Sequence, residues 1–351
     1  MLNSAVKKKL HEGTVIPAHP LALTEERQLD EAGQRALTRY YIDAGVGGIA
    51  VGVHTTQFEI RDPEFNLYQK VLSIAIEETK RANVSDDFIK VAGICGPTEQ
   101  AIREATFSKE IGYDLGLLSM GGLQHLSEEE LLERTEKVAE IIPVFGFYLQ
   151  PAVGGRTFSY EFWERFANIP NVYAIKIAPF DRYCSIDVVR AVSHSPRNEE
   201  IALYTGNDDN IVNDLLTPFE FTVGNTKVEK NIVGGLLGHW SVWTKRVVET
   251  FEEIKKVRNH ESIPKELLTL GQQITDANAA IFDARNRFKG SIAGINEILA
   301  RQGLLQGNWC LVDREVLSPG QAEELDRIYA SYPHLHDDEF VKANLSKWLA
   351  K

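Results

Sequence analysis

The chain has 351 residues, of which 43% are hydrophobic and 25% charged, and its 38 basic and 50 acidic side chains give a formal net charge of −12. This is ordinary globular composition, and the length allows either two domains or one large core with an appendage. The acidic balance and the lack of a dense basic stripe argue against a nucleic-acid partner. Three lysines near the start precede no apolar segment, and no later stretch has eighteen uninterrupted apolar residues, so we expect a cytoplasmic protein with no membrane partner.

Apolar runs alternate with amphipathic segments along most of the chain, as expected for buried strands separated by helices. The predicted strands are residues 14–20, 48–53, 89–94, 114–119, 144–148, 172–177, 201–204 and 231–237. The predicted helices are residues 30–44, 66–82, 98–111, 126–142, 159–168, 185–194, 211–216 and 241–257. Ser127 and Glu130 have the spacing of a capping box at the start of the fourth helix, and Gly45 is placed to end the first. Residues 217–230 are interpreted as irregular.

Eight strand–helix repeats predict an α/β protein with a closed (β/α)8 TIM barrel, assigned to residues 1–257, rather than an open doubly wound sheet. The first strand is not followed by the G-x-G-x-x-G turn that a dinucleotide-binding fold requires. Residues 258–351 lack strand patterning and are predicted to form a C-terminal helical domain, with helices within 269–286, 291–303 and 318–332.

One lysine, Lys176, interrupts the apolar sixth strand in the sequence NVYAIKIAPF. Burial disfavours an ammonium ion and lowers the pKa of a lysine, which makes the neutral amine available as a nucleophile toward a carbonyl carbon. This is the chemistry of a Schiff base. The alternative is that Lys176 ends the strand and its ammonium reaches water along its own aliphatic stem.

Active sites of (β/α)8 barrels lie where strands end and the following loops begin. His54, Thr55 and Thr56 follow the second predicted strand, Tyr148 ends the fifth, and Gly206–Asp208 follow the seventh. A phenol held by a threonine hydroxyl can move protons on and off a carbonyl oxygen, so Tyr148 is predicted as the acid/base with Thr55 or Thr56 as its relay. The alternatives are that the threonines only cap the strand end and that Asp208 with Asp209 only caps a helix.

Several motifs together resemble the dihydrodipicolinate synthase and N-acetylneuraminate lyase family of lysine-dependent class I aldolases. The run from Tyr148 to Pro151 resembles its Tyr-x-x-Pro motif, and Lys176 follows Tyr148 by 28 positions. The segment YAIKIA resembles its Schiff-base strand, and YTGNDD resembles its Ser-Gly-Asp-Asp turn. The resemblance covers residues 15–257 and, more weakly, the C-terminal helical segment. It implies a lyase, an aldolase or dehydratase acting on pyruvate or another 2-oxo acid through an imine at Lys176, with no cofactor and no metal, in a homodimer or homotetramer.

The chain also departs from this family. Where the family has Gly-Thr-Thr-Gly-Glu, the chain has HTTQFE, so Gln57 stands at the turn glycine. Residues 119–122, SMGG, stand where lysine-biosynthetic members carry the tyrosines of a relay across a subunit interface. We therefore expect no dihydrodipicolinate synthesis, and a larger or more apolar aldehyde or a sugar acid as substrate. Arg156 resembles the carboxylate-binding arginine of the family, although it follows Tyr148 by more residues than the family pattern leads us to expect. The predicted substrate-binding residues are Thr55, Thr56, Gly206, Asn207, Arg156 and His54.

Two other functions stay open at this stage. A metal-dependent hydrolase on the same barrel is motivated by histidines near strand ends, although no H-x-H pair or carboxylate at metal spacing accompanies them. These histidines are His19, His54, His125 and His239. The three cysteines are far apart, which is typical of reduced thiols rather than a disulfide framework or zinc site. A barrel that keeps the fold but has lost catalysis is the other possibility, since fold alone does not determine function.

Overall fold

The structure, a computed structural model, describes residues 1–350. Its strands are β1 (Val15–Pro17), β2 (Gly48–Val51), β3 (Ile89–Ile94), β4 (Leu115–Ser119), β5 (Val144–Leu149), β6 (Val172–Ala178), β7 (Ala202–Thr205), β8 (Pro218–Val223) and β9 (Thr226–Leu237). Its α-helices are α1 (Ser4–Glu12), α2 (Glu31–Ala44), α3 (Tyr68–Arg81), α4 (Thr98–Ile111), α5 (Glu128–Ala139), α6 (Tyr160–Asn168), α7 (Arg182–His194), α8 (Ile211–Leu216), α9 (Thr244–Val257), α10 (Lys265–Ile281), α11 (Ser291–Arg301), α12 (Gln321–Ser331) and α13 (Asp338–Leu349).

The eight predicted strand–helix repeats are confirmed. Strands β1 to β7 and β9 are each followed by a helix, α2 to α9 in the same order. The local signals behave as predicted: Ser127 and Glu130 exchange both bonds of a capping box, and Gly45 ends α2 in the left-handed region at φ 95°. Two helices, α1 and α13, were not predicted. In α1 the Asn3 side chain accepts from the Ala5 N–H, which caps a short segment with few apolar residues.

The interpretation of residues 217–230 as irregular is wrong. They form most of an antiparallel hairpin in which β8 pairs with the first half of β9, from Pro218 opposite Asn231 to Val223 opposite Thr226. The signal was in the sequence: apolar and polar residues alternate along PFEFTV, and a Gly-Asn pair follows at the turn. Gly224 in that turn has φ 60°, which glycine adopts without strain.

The chain divides into two compact units. The first comprises residues 1–14 and 86–236, and the second comprises residues 15–85 and 237–351. The predicted boundary between residues 257 and 258 stays a prediction, and the C-terminal helices α10 to α13 belong to the same unit as β1 and β2. In the second unit, residues 18 and 50 form a parallel bridge that continues the line of β1 and β2.

In the first unit, six strands pair in parallel in the order β3, β4, β5, β6, β7 and β9. The pairing of β5 with β6 contains one irregularity. Val144 pairs with Val172, but the next residue, Phe145, pairs with Ala174, so β6 carries one extra residue at Tyr173. Such a bulge shifts the register of everything that follows by one residue. Strands β3 to β7 and the carboxyl-terminal half of β9 are buried almost throughout, and the pairing fixes which side chains meet at their carboxyl ends.

Candidate functional site

Lys176 lies near the carboxyl end of β6 in a row of residues that pair across neighbouring strands. Ser119 pairs with Phe147, Phe147 with Lys176, and Lys176 with Tyr204. Laterally paired residues of a sheet point to the same face. The Phe147 ring accordingly lies beside the lysine, with its centroid 4.4 Å from the Lys176 Nζ atom.

The surroundings of Lys176 favour the neutral amine. Only 7% of the residue is exposed, and burial lowers the pKa of Lys176 to about 8, while the nearby Asp208 carboxylate acts in the opposite direction and raises it. The contact with the Phe147 ring stabilises the cation, but less than full hydration does. A lysine with this pKa carries an appreciable fraction of nucleophilic amine near neutral pH.

The backbone of Gly206 lies directly against the Lys176 side chain. A Cβ atom at this position would lie 2.4 Å from the Lys176 Cε atom and 2.7 Å from the Ala178 Cβ atom. The Gly206 N–H donates to the Ile177 carbonyl at 2.7 Å, which fixes the backbone of the turn against β6. Glycine is therefore required here because of close approach. The structure places Gly206 and Lys176 together, as predicted from the strand ends.

Asn207 and Asp208 follow in the same turn, and both are buried. The Asn207 Oδ1 atom accepts from the Phe180 N–H at 3.0 Å, and its Nδ2 atom donates to the Asp214 carboxylate at 3.1 Å. Both ends of this amide are thus occupied by protein groups, so its role in substrate binding stays a prediction. The alternative that Asp208 with Asp209 caps a helix is wrong, because Asn210 occupies the cap position of α8. The Asp208 carboxylate instead interacts electrostatically with Lys176.

Tyr148 points away from the face that carries Lys176. Because neighbouring side chains in a strand alternate, Tyr148 lies on the opposite face of β5 from Phe147. Its ring packs against Trp163 of α6 with a centroid distance of 4.9 Å and against Phe158 at 5.7 Å. Its hydroxyl accepts from the Phe158 N–H at 3.4 Å and contacts the Cys184 thiol, and burial raises the pKa of Tyr148. The structure therefore brings Phe147, and not the predicted Tyr148, next to Lys176.

Arg156 ties together the loops that follow β4 and β5. Its Nη1 atom donates to the Leu126 carbonyl at 2.7 Å, and its guanidinium carbon lies 5.3 Å from the centroid of the Phe158 ring. The Gln124 side chain and the Gly122 N–H both donate to the Gly154 carbonyl in the same place. These contacts give Arg156 a structural use, and its predicted contact with a substrate carboxylate stays a prediction.

The predicted threonines lie in the second unit, in a short 3₁₀ turn at His54–Thr56. The Thr56 hydroxyl donates to the His19 carbonyl at 2.6 Å and accepts from the N–H groups of Gly52 and Val53. One donor and two acceptor sites are all that a hydroxyl has, so Thr56 is saturated. The Thr55 hydroxyl donates to the Ala18 carbonyl at 2.6 Å and is free to accept further hydrogen bonds. Thr55 is thus better suited than Thr56 to bind a proton donor.

The backbone turn after Thr56 is retained, although Gln57 stands where the family has a glycine. Its φ of 69° and ψ of 123° lie in a region that glycine adopts most easily. Its side chain is fully buried, and its Oε1 atom accepts from the Leu311 N–H at 2.6 Å. His54, one of the predicted substrate-binding residues, is half-buried, and its ring centroid lies 5.7 Å from that of Phe58.

Within residues 1–350 no group of three or more His, Cys, Asp or Glu side chains is arranged to hold a metal ion. Two of the strand-end histidines are buried in the second unit. His19 places Nε2 2.9 Å from the Thr38 hydroxyl and Nδ1 2.8 Å from the Pro20 carbonyl oxygen, and burial lowers the pKa of both His19 and His239 to about 4. Over the same residues, no helix has both the length and the apolar character needed to cross a lipid bilayer.

Comparison with known proteins gives one consistent result. Residues 12–258 match the model of the dihydrodipicolinate synthetase family. N-acetylneuraminate lyase 2 of Escherichia coli O6:H1 is 25% identical over 317 residues, which cover 89% of this chain and 90% of that protein.

Solved structures share the fold. Dihydrodipicolinate synthase from Oceanobacillus iheyensis superimposes with a TM-score of 0.75 at 16% identity, covering 93% of this chain and 99% of that one. N-acetylneuraminate lyase from Fusobacterium nucleatum, complexed with pyruvate, gives a TM-score of 0.70 at 18% identity over the same shares of the two chains. The predicted fold class, a (β/α)8 barrel with C-terminal helices, is confirmed.

Proposed function

Because this chain belongs to the dihydrodipicolinate synthetase family of lyases, we propose that it is a class I aldolase or dehydratase that acts on pyruvate or another 2-oxo acid through an imine at Lys176. The observation that carries this proposal is the buried Lys176, whose pKa is lowered to about 8 beneath the Gly206 turn.

In the proposed reaction the lone pair of the Lys176 nitrogen forms a bond to the keto carbon of the substrate. The carbonyl oxygen takes up one proton from the nitrogen and one from the medium and leaves as water, and the nitrogen remains doubly bonded to carbon as a protonated imine. This cation accepts the electron pair of a neighbouring carbon–carbon or carbon–hydrogen bond, which gives an enamine. When the carbon–carbon bond breaks, the hydroxyl on the departing carbon loses its proton to a base and that carbon leaves as an aldehyde. The reverse step condenses the enamine with one.

Asp208 is the proposed partner of Lys176 in these proton transfers. It is 7% exposed, and its negative charge stabilises the lysine cation. A carboxylate beside a protonated amine, and later beside a protonated imine, is suited to hold and return the proton that the nitrogen gives up. Phe147 has no hydroxyl that could carry a proton. The acid/base role of Tyr148 stays a prediction, and the packing of Tyr148 against α6 does not favour it.

We assign the carboxylate of the substrate to the His54–Thr56 turn because Thr55 and Thr56 match the pair of threonines in the family motif. Thr55 keeps acceptor capacity, and Thr56 holds the turn through its three hydrogen bonds. We propose that replacing Thr55 by valine weakens pyruvate binding. The same replacement of Thr56 would destabilise the turn, since two N–H groups would lose their acceptor.

For the second substrate, or the aldehyde half of a cleaved one, we propose a sugar-derived or apolar aldehyde rather than aspartate semialdehyde. The segment after β4 has no phenol, and a Cβ atom built at Gly122 would meet nothing within 4 Å. We propose that the space at Gly122 accommodates part of a longer substrate. The structure of the Fusobacterium nucleatum lyase is a complex with pyruvate, and that of CdNal from Clostridium difficile is a complex with mannosamine.

The decisive experiment is to incubate the protein with pyruvate, reduce with borohydride and determine by mass spectrometry which peptide gains mass. We expect the adduct on the peptide that contains Lys176, and an adduct elsewhere or none contradicts the proposal. A panel of aldehydes then tests turnover. Efficient use of aspartate semialdehyde above sugar-derived aldehydes refutes the proposed substrate class.

A second candidate, a barrel that forms the imine but does not turn over, is favoured by Phe147 lying where a phenol would serve proton transfer. An adduct at Lys176 without cleavage or condensation of any aldehyde identifies it. We also propose that the chain is a homodimer or homotetramer, as the resemblance implies. Sedimentation at micromolar concentration tests this, and a monomer contradicts it.

A further inference from the structure

Asp214, on α8 of the first unit, is fully buried, and four side chains donate to its carboxylate. The Thr205 hydroxyl lies at 2.6 Å and the Asn207 amide at 3.1 Å from Oδ2, while the Asn210 amide at 2.9 Å and the Arg182 guanidinium at 2.5 Å donate to Oδ1. Burying a carboxylate costs several kcal/mol unless donors of this kind compensate it. An arrangement this complete holds its donors in fixed positions.

The donors come from two loops that flank the lysine. Arg182 begins α7 after β6, the strand of Lys176, whereas Thr205 ends β7 and Asn207 and Asn210 lie in the turn that follows it. A second link joins the same loops, because the Asn207 side chain accepts from the N–H of Phe180, which has a left-handed φ of 54°. Asp214 therefore connects the segment that leaves the lysine strand with the turn that covers the lysine.

That turn contains both groups that act on Lys176. Gly206 approaches the lysine so closely that a Cβ atom would overlap its Cε, and Asp208 supplies the carboxylate that raises the pKa of the lysine. From the paired strands, β5 presents the uncharged Phe147 ring and β7 presents Tyr204, whose hydroxyl donates to the Leu10 carbonyl. A small displacement of the turn thus changes both the space and the charge at the lysine nitrogen.

We propose that Asp214 is a positioning residue, which holds the Gly206–Asp208 turn against Lys176 by binding Thr205, Asn207, Asn210 and Arg182. This inference rests on the proposed function for its effect on pyruvate. Its effect on the lysine nitrogen does not depend on any substrate.

The test compares Asp214→Asn with the matched control Asp187→Asn, which removes a carboxylate from an exposed ion pair with Arg190 on α7. The first readout is acetylation of Lys176 by acetic anhydride across a pH series, followed on its peptide by mass spectrometry. We expect the midpoint of Asp214→Asn to move to lower pH, because a displaced Asp208 stabilises the ammonium less, while that of Asp187→Asn stays at the wild-type value. The second readout is the rate of borohydride-trapped pyruvate adduct formation, expected to fall about 10- to 100-fold in Asp214→Asn.

Arg182→Met provides a second variant if Asp214→Asn does not fold, since Arg182 is 40% exposed and its loss leaves the other three donors in place. A smaller shift in the same direction is expected. If both variants melt at lower temperature but keep the wild-type acetylation midpoint, Asp214 only supports the fold and the proposal is overturned. If wild type forms no adduct while the midpoint of Asp214→Asn still shifts, the proposed function fails and the positioning role stands.

Discussion

Two lysines of the first unit have the same lowered pKa in different surroundings. Burial lowers the pKa of both Lys176 and Lys230 to about 8. The Lys230 ammonium donates to the Asn198 carbonyl, with Glu199 nearby, whereas the Lys176 nitrogen faces the Phe147 ring under a glycine turn. The Asn198 carbonyl accepts an N–H hydrogen and holds the Lys230 nitrogen at that position, whereas the Phe147 ring makes only a weaker cation–π contact with Lys176. The two lysines thus share a lowered pKa but differ in how firmly a neighbouring group holds the nitrogen.

The two lysines also lie at opposite ends of the strands. Lys176 pairs with Tyr204 near the carboxyl end of β7, while Lys230 precedes Ile232, the residue of β9 that pairs with Leu203, and lies in the part of β9 that belongs to the hairpin. Loops at the carboxyl ends carry the chemistry of this fold, and the amino ends mainly support stability. Position and surroundings thus both support the proposal that the reaction takes place at Lys176.

The largest expected effect separates these lysines directly. Lys176→Met should abolish the pyruvate adduct and lower turnover by about 10³-fold or more, because the proposed imine forms on the Lys176 nitrogen. Lys230→Met should retain both. Borohydride trapping measures adduct formation in the two variants, and a kinetic assay measures their turnover. An adduct that survives Lys176→Met but disappears in Lys230→Met would show that Lys230, and not Lys176, forms the imine.

Asp208→Asn tests the charge beside the lysine. Asp208 raises the pKa of Lys176, so its removal should lower that pKa below about 8, and the pH profile of adduct formation should move to lower pH. The plateau rate should also fall by about 10²-fold if the carboxylate holds the proton in the reaction. Asp209→Asn, one residue further along the turn, is the control. An unchanged profile in Asp208→Asn would remove this residue from the mechanism.

Gly206→Ala tests the space above the lysine. The new Cβ atom would force the flexible end of Lys176 to move, at a cost in stability of about 1–3 kcal/mol. We expect adduct formation to slow by about 10-fold or more, since misplacing a reacting atom by about 1 Å lowers the rate of reaction by up to about 10²-fold. Thermal unfolding shows whether the fold is retained. Wild-type adduct formation in a folded variant contradicts the close packing.

The smallest effect is expected for Tyr148→Phe. Because the hydroxyl contacts the Phe158 N–H and the Cys184 thiol on the α6 side of β5, we expect turnover within a few-fold of wild type. The role predicted from the sequence instead requires a loss of about 10²–10⁴-fold. Steady-state kinetics with pyruvate and an accepted aldehyde distinguish a packing role of Tyr148 from the acid/base role.

The sequence predicted the eight repeats, the buried lysine and the glycine turn because each depends on local composition and periodicity. It did not predict which aromatic residue meets the lysine. The spacing of 28 positions would place Tyr148 opposite Lys176 in an unbroken pairing, but the extra residue at Tyr173 moves Phe147 into that position. A bulge depends on how two strands fit together, and counting residues along the chain does not reveal it. The network at Asp214 was missed for the same reason, since its donors come from separate loops.

The extra residue at Tyr173 also has an evolutionary consequence. If Tyr173 instead paired with Phe145, the pairing of β5 with β6 would be continuous and Tyr148 would lie opposite Lys176 in place of Phe147. A slip of one residue between these two strands would thus exchange a hydrocarbon neighbour of the lysine for a phenol without any change in chain length. Divergence of activity among barrels of this kind can then proceed by slippage of one strand, a route that comparison of aligned residue identities does not detect.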